Sequence, residues 1–286
     1  MPPKFTATAR LKRLGSALRA LRLASDLSVD QVGNNLGWSG SKVSRIETAK
    51  QIVTPEDVRA LVTLYGLGPD EIEKYVAIAR KAKERDWWHR YDDVLPDWFE
   101  NYLGLEAEAS KISTYESDLV PGLLQTEQYA AAVLSAYPLR TTPEEMERAV
   151  DLRRARQARL TGDSALILDA VISETVLRRN IGGVAVLGEQ LEHLIKMAER
   201  PNITVRLVPF TAAVHPGING AFSVLEFPDP EDGRIVTVET MTSTLYVERT
   251  RDVGVYRLAF DQIASAALGP NETIDMISAT TLELES

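Results

Sequence analysis

Residues 28–47 read SVDQVGNNLGWSGSKVSRIE, and they predict two short amphipathic helices joined by a tight turn. Ser28 and Gln31 have the spacing of a capping box, in which each side chain satisfies a free backbone N–H at the start of the first helix. Val43 and Ile46 are three positions apart, so they lie on one face of the second helix and are expected to be buried. Their burial decides which side chains of the second helix point outward.

The outward face of this second helix has the residues of a DNA-reading surface. The outward positions are Gly40, Ser41, Ser44 and Arg45. A recognition helix presents its N-terminal side chains to base edges with this spacing. Arg45 is the strongest candidate, because one guanidinium can bind O6 and N7 of a guanine together and discriminate by about 1–3 kcal/mol. Glycine and serine specify a base weakly, and Lys42 is expected nearer the phosphates.

Apolar residues on both sides of this stretch recur at helical spacing and extend the pattern to five helices. Before it, spacings of three and four are kept by Leu11, Leu14, Leu18 and Leu21. After it, Thr54 and Pro55 are the expected cap and first residue of a fourth helix. Residues 69–85 supply a fifth amphipathic helix. A small helical bundle fits many functions, so this pattern alone does not identify one.

The charge of the chain is unevenly distributed. The whole sequence has a net charge of −9, but residues 1–90 hold 16 Lys and Arg against 10 Asp and Glu, a net charge of +6. The remaining residues therefore carry −15. Asymmetry of this kind is typical of a nucleic-acid-binding module joined to an acidic one. Because salt screens charges beyond about 8 Å, DNA would respond to the local basic face more than to the distant acidic residues.

The sequence RLASDLSVDQVGNNLGWSGSKVSRIETAK, which begins at Arg22, carries a family resemblance. Residues 14–66 resemble the helix-turn-helix of the Xre (lambda/Cro-repressor-like) family. The resemblance implies a DNA-binding domain in which Arg22 and Glu47 form a structural ion pair. The family usually has an Asn-Gly corner after this glutamate, whereas this chain has Thr48 and Ala49.

The resemblance also implies which side chains contact DNA. The position that opens the first helix of the stretch, often a residue that touches phosphate or a base, holds Val29, which cannot form a hydrogen bond through its side chain. Gln31 and the backbone amides at the start of that helix are expected to take this role. The predicted DNA contacts are Gln31, Ser39, Gly40, Ser41, Lys42, Ser44, Arg45 and Lys50.

Catalytic motifs are weak throughout the sequence. GWSGS approaches the nucleophile elbow G-x-S-x-G, but its fifth residue is Ser41 and no strand pattern precedes it. SGSK fits S-x-x-K, but neither partner motif of those enzymes is present. Asp169 and Glu174 at strand ends are candidate catalytic carboxylates, although a cap or surface role is expected. With no Cys, no P-loop and three widely separated histidines, the sequence predicts no metal, no cofactor and no enzyme activity.

An aromatic cluster marks the end of the basic region. Its members are Trp87, Trp88, Tyr91, Trp98, Phe99 and Tyr102. A ligand cage or a DNA-stacking surface is an alternative, but such clusters usually pack a connecting segment against the next domain. We therefore predict a helix-turn-helix DNA-binding domain at 1–86, an aromatic-rich connector at 87–97 and an α+β regulatory or partner-binding domain at 98–286.

The sequence of the last region changes from helical to strand periodicity. Leu105, Ala109 and Ile112 predict a helix that continues toward Pro121. ALILDAVI and NITVRLVPF are strand patterns on either side of an amphipathic helix, three further strands follow, and residues 251–280 return to helix. The predicted fold class is α plus α/β: a five-helix lambda-repressor-like domain joined to a larger C-terminal α+β domain with a mixed sheet.

Basic residues recur along one predicted helix of this region. They are Arg148, Arg153, Arg154, Arg156 and Arg159. They form either a second phosphate-binding stripe or a solvated, salt-bridged face. The acidic residues at helix-pair distances favour the second interpretation.

Five motifs follow one another in the C-terminal region. They are VPGLLQTEQYAAAVL, LRRARQARL, ISETVLRR, GEQLEHLIKMAERPNITVRLVPF and GAFSVLEF. Together they resemble the antitoxin-like C-terminal domain of actinobacterial, WhiJ-like regulators with an Xre helix-turn-helix. The resemblance implies a DNA-binding regulator whose C-terminal domain contacts a small, separately encoded protein.

These observations predict a sequence-specific transcriptional regulator, a repressor that acts as a homodimer on a two-fold symmetric operator of double-stranded DNA. One recognition helix contacts few base pairs, so paired half-sites are needed for specificity. Two alternatives stay open: an antitoxin-like module that neutralises a small partner protein and binds DNA for autoregulation, and a regulator that senses a small molecule. No apolar run approaches the roughly 18 residues of a membrane span and no secretory signal is evident, so a cytoplasmic protein is expected.

Overall fold

A computed structural model describes residues 9–51, 53–83, 87–136, 142–228 and 233–285. The chain divides into two compact units. The first comprises the described residues up to His89 together with Glu100–Leu105, and the second comprises Arg90–Phe99 and the described residues from Glu106 onward. The predicted domain boundary at residue 86 lies outside the described residues, and the three-part division of the chain stays a prediction.

Five α-helices lie within the described residues 9–51 and 53–83, which confirms the predicted helix number. They are α1 (Ala9–Ala24), α2 (Val29–Leu36), α3 (Gly40–Glu47), α4 (Pro55–Leu64) and α5 (Pro69–Lys83). Their apolar faces meet in one core, in which Val43 and Ile46 are 0% and 1% exposed. Helix α3 is therefore held by the side chains that its periodicity predicts to be buried.

Helices α2 and α3 each begin at a residue whose side chain caps the helix. The capping box of α2 is complete: the Ser28 N–H donates to Gln31 Oε1 at 2.8 Å, and the Gln31 N–H donates to Ser28 Oγ at 3.2 Å. Ser39 Oγ accepts the Lys42 N–H at 3.2 Å at the start of α3. These bonds satisfy backbone donors that a helix leaves free at its N-terminus.

Helices α1 to α4 end in the same way, with one residue in the left-handed conformation. These residues are Asp26, Gly37, Ala49 and Gly66, with φ of 54°, 68°, 52° and 86°. In each turn the following residue donates its N–H to the carbonyl five positions earlier, as Trp38 does to Gly33 at 2.7 Å. This is the Schellman arrangement, which satisfies carbonyls at the helix end and normally uses glycine.

The central region of the chain begins with α6 (Asp97–Glu108) and continues into a mixed sheet covered by helices. The strands are β1 (Lys111–Glu116), β2 (Ile167–Ser173), β3 (Ile203–Val208), β4 (Phe222–Glu226), β5 (Arg234–Glu239) and β6 (Thr244–Val247). The remaining helices are α7 (Glu127–Ser135), α8 (Pro143–Arg156), α9 (Thr175–Arg178), α10 (Val184–Ala198), α11 (Thr250–Ala266) and α12 (Pro270–Glu285). Among the described helices, none is long and apolar enough to cross a membrane.

The sheet has the order β3-β2-β1-β4-β5-β6. Strands β1, β2 and β3 are parallel, and β4, β5 and β6 follow in antiparallel pairs. Helix α11 packs on one face of the sheet through Val253, Phe260 and Ile263. The predicted α+β domain with a mixed sheet is confirmed.

The helix predicted through Ile112 is wrong beyond Glu108. Residues Lys111–Glu116 form β1, which pairs with β2 on one side and β4 on the other. Successive side chains of a strand point to opposite faces of the sheet, and four consecutive residues of β1 are buried although two of them are polar, so both faces of β1 are covered. The sequence KISTYE therefore lacks the alternation that identifies a half-exposed strand.

Substitution of Gly37 tests whether the turn between α2 and α3 requires a left-handed backbone conformation. A Cβ added at Gly37 would meet no atom within 4 Å, so substitution changes only the backbone preference. We expect Gly37→Ala to lower the free energy of unfolding by about 1 kcal/mol, because an alanine in this conformation is strained. Gly37→Asn is the matched control and is expected to cost less, since Asn adopts the left-handed region more readily. Urea unfolding of the full-length protein measures both, and equal losses would contradict the left-handed assignment.

Candidate nucleic-acid interface

The solvent-facing side of α3 and its flanking turns collects most of the predicted DNA contacts. Gln31, Ser39, Ser41, Ser44, Arg45 and Lys50 are exposed, and Gly40 and Lys42 are partly exposed. Ser39 Oγ and Ser41 Oγ are 3.0 Å apart, so these two hydroxyls form a pair at the start of the helix. Gln31 uses its carboxamide oxygen in the cap of α2, which leaves its NH₂ group as a donor.

Arg45 and Lys50 are the cations of this surface that are free of ion pairs within the described residues. Neither side chain has a hydrogen-bond partner there, and both are exposed. The backbone links the two residues, because the Lys50 N–H donates to the Arg45 carbonyl at 2.8 Å. Both long side chains can therefore reach an anionic ligand without breaking an existing contact.

Lys42 has a different environment from the other cations. Its Nζ lies 2.8 Å from Asp57 Oδ1 on α4 and 3.6 Å from the ring centroid of Trp38. A cation over an indole ring is attracted by the ring quadrupole. These two contacts tie the start of α3 to the preceding turn and to α4, so Lys42 has a structural role in addition to the phosphate role expected from the sequence.

A buried ion pair connects α1 to the end of α3. Arg22 Nε donates to Glu47 Oε1 at 2.6 Å and Nη2 donates to Oε2 at 3.0 Å, while Nη1 donates to the Leu27 carbonyl at 2.6 Å. The two side chains are 9% and 4% exposed. The hydrogen bond to Glu47 raises the pKa of the Arg22 guanidinium, and burial beside this pair raises the pKa of Tyr65 to about 12.

The backbone of α1 approaches the same end of α3 closely. A Cβ added at Gly15 would lie 2.7 Å from the carbonyl oxygens of both Ile46 and Glu47. Glycine is therefore required for the observed distance between the two helices. The turn after α3 closes in the Schellman manner, although Ala49 and not a glycine has the left-handed conformation there.

Two family models match the chain. One is described as a helix-turn-helix domain and matches residues 13–74, which include the whole α3 surface. The other is described as a domain of unknown function (DUF5753) and matches residues 99–279, more than half of the sequence. The chain belongs to the DUF5753 family. No curated protein and no solved structure matches it.

The helix-turn-helix match suggests that this DUF5753 protein is a DNA-binding regulator. The match covers both helices of the motif and the intervening turn at Gly37. It does not extend to the DUF5753 region and therefore does not indicate the role of that region.

The arginines of α8, and Arg159 shortly after it, have partners within the second compact unit. Arg148 Nε donates to Asp93 Oδ2 at 2.6 Å, and Arg156 forms a two-bond pair with Glu106 at 2.6 and 2.8 Å. Arg156 and Glu106 are 5% and 2% exposed, so this pair is buried and not solvated. The other contacts are Arg153 with Gln125, Arg154 with Glu127, and Arg159 with the Ala109 carbonyl. These contacts favour the salt-bridged interpretation of the arginine series.

Carboxylates of the DUF5753 region differ in their partners. Asp169 Oδ1 accepts a hydrogen bond from Arg206 at 2.7 Å, and Glu174 Oε2 accepts the Phe210 N–H at 2.9 Å. Burial raises the pKa of the Glu116 carboxyl to about 8, and the negative charge of Glu239 adds to the shift. Sequence patterns gave no signal for Glu116, because its environment depends on strand pairing. Within the described residues, no group of three or more His, Asp or Glu could hold a metal ion.

The Arg22–Glu47 pair is expected to contribute strongly to the stability of the helix-turn-helix. Glu47→Gln leaves a buried guanidinium without its counter-charge, and we expect a loss of about 3–5 kcal/mol in the free energy of unfolding. The double substitution Arg22→Met/Glu47→Leu removes both charges and is expected to cost less than the single one. Urea unfolding measures both variants.

The matched control is Glu73→Gln. It breaks the exposed Arg59–Glu73 pair, whose atoms are also 2.6 Å apart, and should change stability by less than about 0.5 kcal/mol. A Glu47→Gln variant as stable as this control would show that the buried pair does not hold α3.

Proposed function

We propose that this protein is a sequence-specific transcriptional regulator that reads operator DNA with the exposed face of α3. The observation that carries the proposal is an exposed Arg45, without a partner among the described residues, on a helix fixed by a buried ion pair. A guanidinium in this setting can bind the O6 and N7 atoms of a guanine without first breaking an ion pair to a described residue.

The neighbouring residues divide into two roles in this proposal. Gly40, Ser41 and Ser44 lie beside Arg45 and allow close approach to base edges, with weak preference of their own. Gln31, Ser39, Lys50 and the exposed backbone amides at the start of α2 contact phosphates, which fix the position of the helix in the major groove. Lys42 joins them with a proton of its ammonium group that the contact with Asp57 does not use.

The resemblance of the chain to WhiJ-like regulators supports a more specific proposal. We propose a cytoplasmic repressor of actinobacterial type, acting as a homodimer on a two-fold operator, with the C-terminal region as its regulatory part. An antitoxin-like contact with a small, separately encoded protein is the alternative role of that region.

Arg45→Ala tests base reading. Selection from a random duplex library is expected to enrich one motif with the wild type, and the substitution should reduce preference for one guanine by about fivefold to 150-fold. Lys50→Ala is expected to weaken binding to all sequences alike and to reduce the salt slope by about 1. Fluorescence anisotropy at several salt concentrations measures both effects.

Arg59→Ala is the control for the lost charge, because Arg59 is an exposed arginine of α4 paired with Glu73. It should leave the selected motif unchanged. If Arg45→Ala selects the same motif with the same strength as Arg59→Ala, Arg45 is not a base-reading residue. If the wild type enriches no motif, the proposed function itself is wrong.

An exposed apolar segment supports the homodimer. Phe210, Val214 and Ile218 lie between β3 and β4 and are 65%, 89% and 74% exposed. Large apolar side chains concentrated in nine residues are typical of a protein interface, whereas isolated ones are common on any surface. We propose that a second copy of the chain covers this segment.

Sedimentation velocity tests the dimer. The wild type is expected to sediment as a dimer, and Val214→Ser/Ile218→Ser as a folded monomer with an unchanged far-UV circular dichroism spectrum, because both side chains are exposed in the single chain. Val184→Ser, at an apolar position of α10 that is 49% exposed, is the control and should remain dimeric. A monomeric wild type, or a dimer in all three proteins, would rule out this interface.

A further inference from the structure

The sheet face beneath α11 changes from apolar to charged along its strands. Near the carboxyl ends of β1, β2 and β3 it holds Tyr115, Val171 and Val208, which belong to the core that includes Phe260 of α11. Two positions earlier on each strand, and on the neighbouring β4, the same face holds polar residues. They are Ser113, Asp169, Arg206 and Glu226, with Lys111 at the start of β1. Charged side chains at the edge of a core need partners, because an unpaired charge is costly to bury.

These polar residues line a groove between the sheet and α11. Its volume is about 480 Å³, within the range of about 300–1,000 Å³ that is usual for small-molecule sites. Helix α11 supplies Arg257 and Asp261 to the groove. The lining is mostly polar and contains both signs of charge, so it suits a small polar molecule better than an apolar one.

The sheet side of the groove has unused hydrogen-bonding capacity. Arg206 Nη2 donates to Asp169 Oδ1 at 2.7 Å, but Arg206 Nε is buried and has no partner in the described part of the chain. Ser113 is only 6% exposed, and its hydroxyl has no hydrogen bond to any described residue. A buried guanidinium N–H without an acceptor is unfavourable, so an oxygen placed in the groove would be stabilised there.

The helix side of the groove presents one cation and one anion. Arg257 and Asp261 are one helical turn apart, both are exposed, and neither has an ion-pair partner among the described residues. By contrast, Glu226 on the sheet is paired with Arg234 at 2.8 Å. The charges left for a ligand are therefore of both signs.

We propose that this groove binds a free α-amino acid. Its carboxylate accepts hydrogen bonds from Arg206 Nε and the Arg257 guanidinium, and its ammonium group donates to the Asp261 carboxylate. An anion without an ammonium group would leave Asp261 opposed to like charge, and an amine without a carboxylate would meet Arg206 and Arg257. A zwitterion satisfies both sets of groups at once.

Binding is tested on the full-length protein with the twenty free L-amino acids, first by thermal shift and then by calorimetric titration of those that raise the melting temperature. Succinate, which has carboxylates but no ammonium group, and putrescine, which has amines but no carboxylate, are the comparison probes. We expect at least one amino acid to raise the melting temperature and neither comparison probe to do so. Because the titration contains no DNA, its result does not depend on the proposed DNA-binding function.

Three variants locate the site. Arg206→Met and Asp261→Asn are expected to raise the Kd of the bound amino acid by about tenfold or more, since each removes a charge-assisted hydrogen bond. Arg257→Gln changes an exposed side chain and serves as the test of the carboxylate contact if Arg206→Met does not fold. Arg251→Gln, on the same helix but outside the groove, is the matched control and should leave the Kd unchanged.

The outcomes that overturn the proposal are specific. If none of the twenty amino acids raises the melting temperature, the groove is not an amino-acid site. If succinate binds as tightly as the best amino acid, the site recognises an anion and not a zwitterion. If the groove variants bind like Arg251→Gln, the amino acid binds elsewhere on the protein.

Discussion

The N-terminal unit depends on one buried contact, the two-bond ion pair between Arg22 and Glu47. The pair joins α1 to the last residue of α3, and the third guanidinium bond reaches the Leu27 carbonyl in the turn before α2. Helix α1, the turn that follows it and the end of α3 therefore share one planar group. A guanidinium suits this position better than an ammonium, because its five donors lie in a fixed fork that matches a carboxylate and a carbonyl together.

The charge distribution explains how an acidic chain can carry a DNA-binding surface. The net charge is a sum over the whole chain. Salt at physiological concentration screens charges beyond about 8 Å, so bound DNA responds mainly to the charged groups close to it. The basic residues of the N-terminal unit also differ in whether their side chains already have partners. Lys42 is engaged with Asp57 and Trp38, whereas Arg45 and Lys50 are not paired with described residues. The number of cations on the surface is therefore larger than the number that can contact DNA without first breaking a contact within the protein.

Local patterns predicted the helices well, because caps and apolar spacing act over a few residues. Ser28, Ser39 and Thr54 cap the helices at the positions that their side chains indicate. The strand β1 was missed, because it is formed by pairing with β2 and β4, which lie far along the chain. The Lys42–Asp57 contact, the raised pKa of Glu116 and the groove beneath α11 could not be predicted from the sequence for the same reason. Each depends on residues brought together by tertiary packing, which no short stretch of sequence describes.

The close approach at Gly15 has a consequence for control of the protein. There the backbone of α1 lies against the backbone of α3, with no side chain between them that could change rotamer. We therefore expect α1 and α3 to move together, because a rotation of α3 alone would bring the two backbones into collision. In the proposed homodimer, a regulatory input would therefore act by moving whole units and changing the separation between the two α3 helices. The periodicity of the double helix makes that separation as decisive as any base contact.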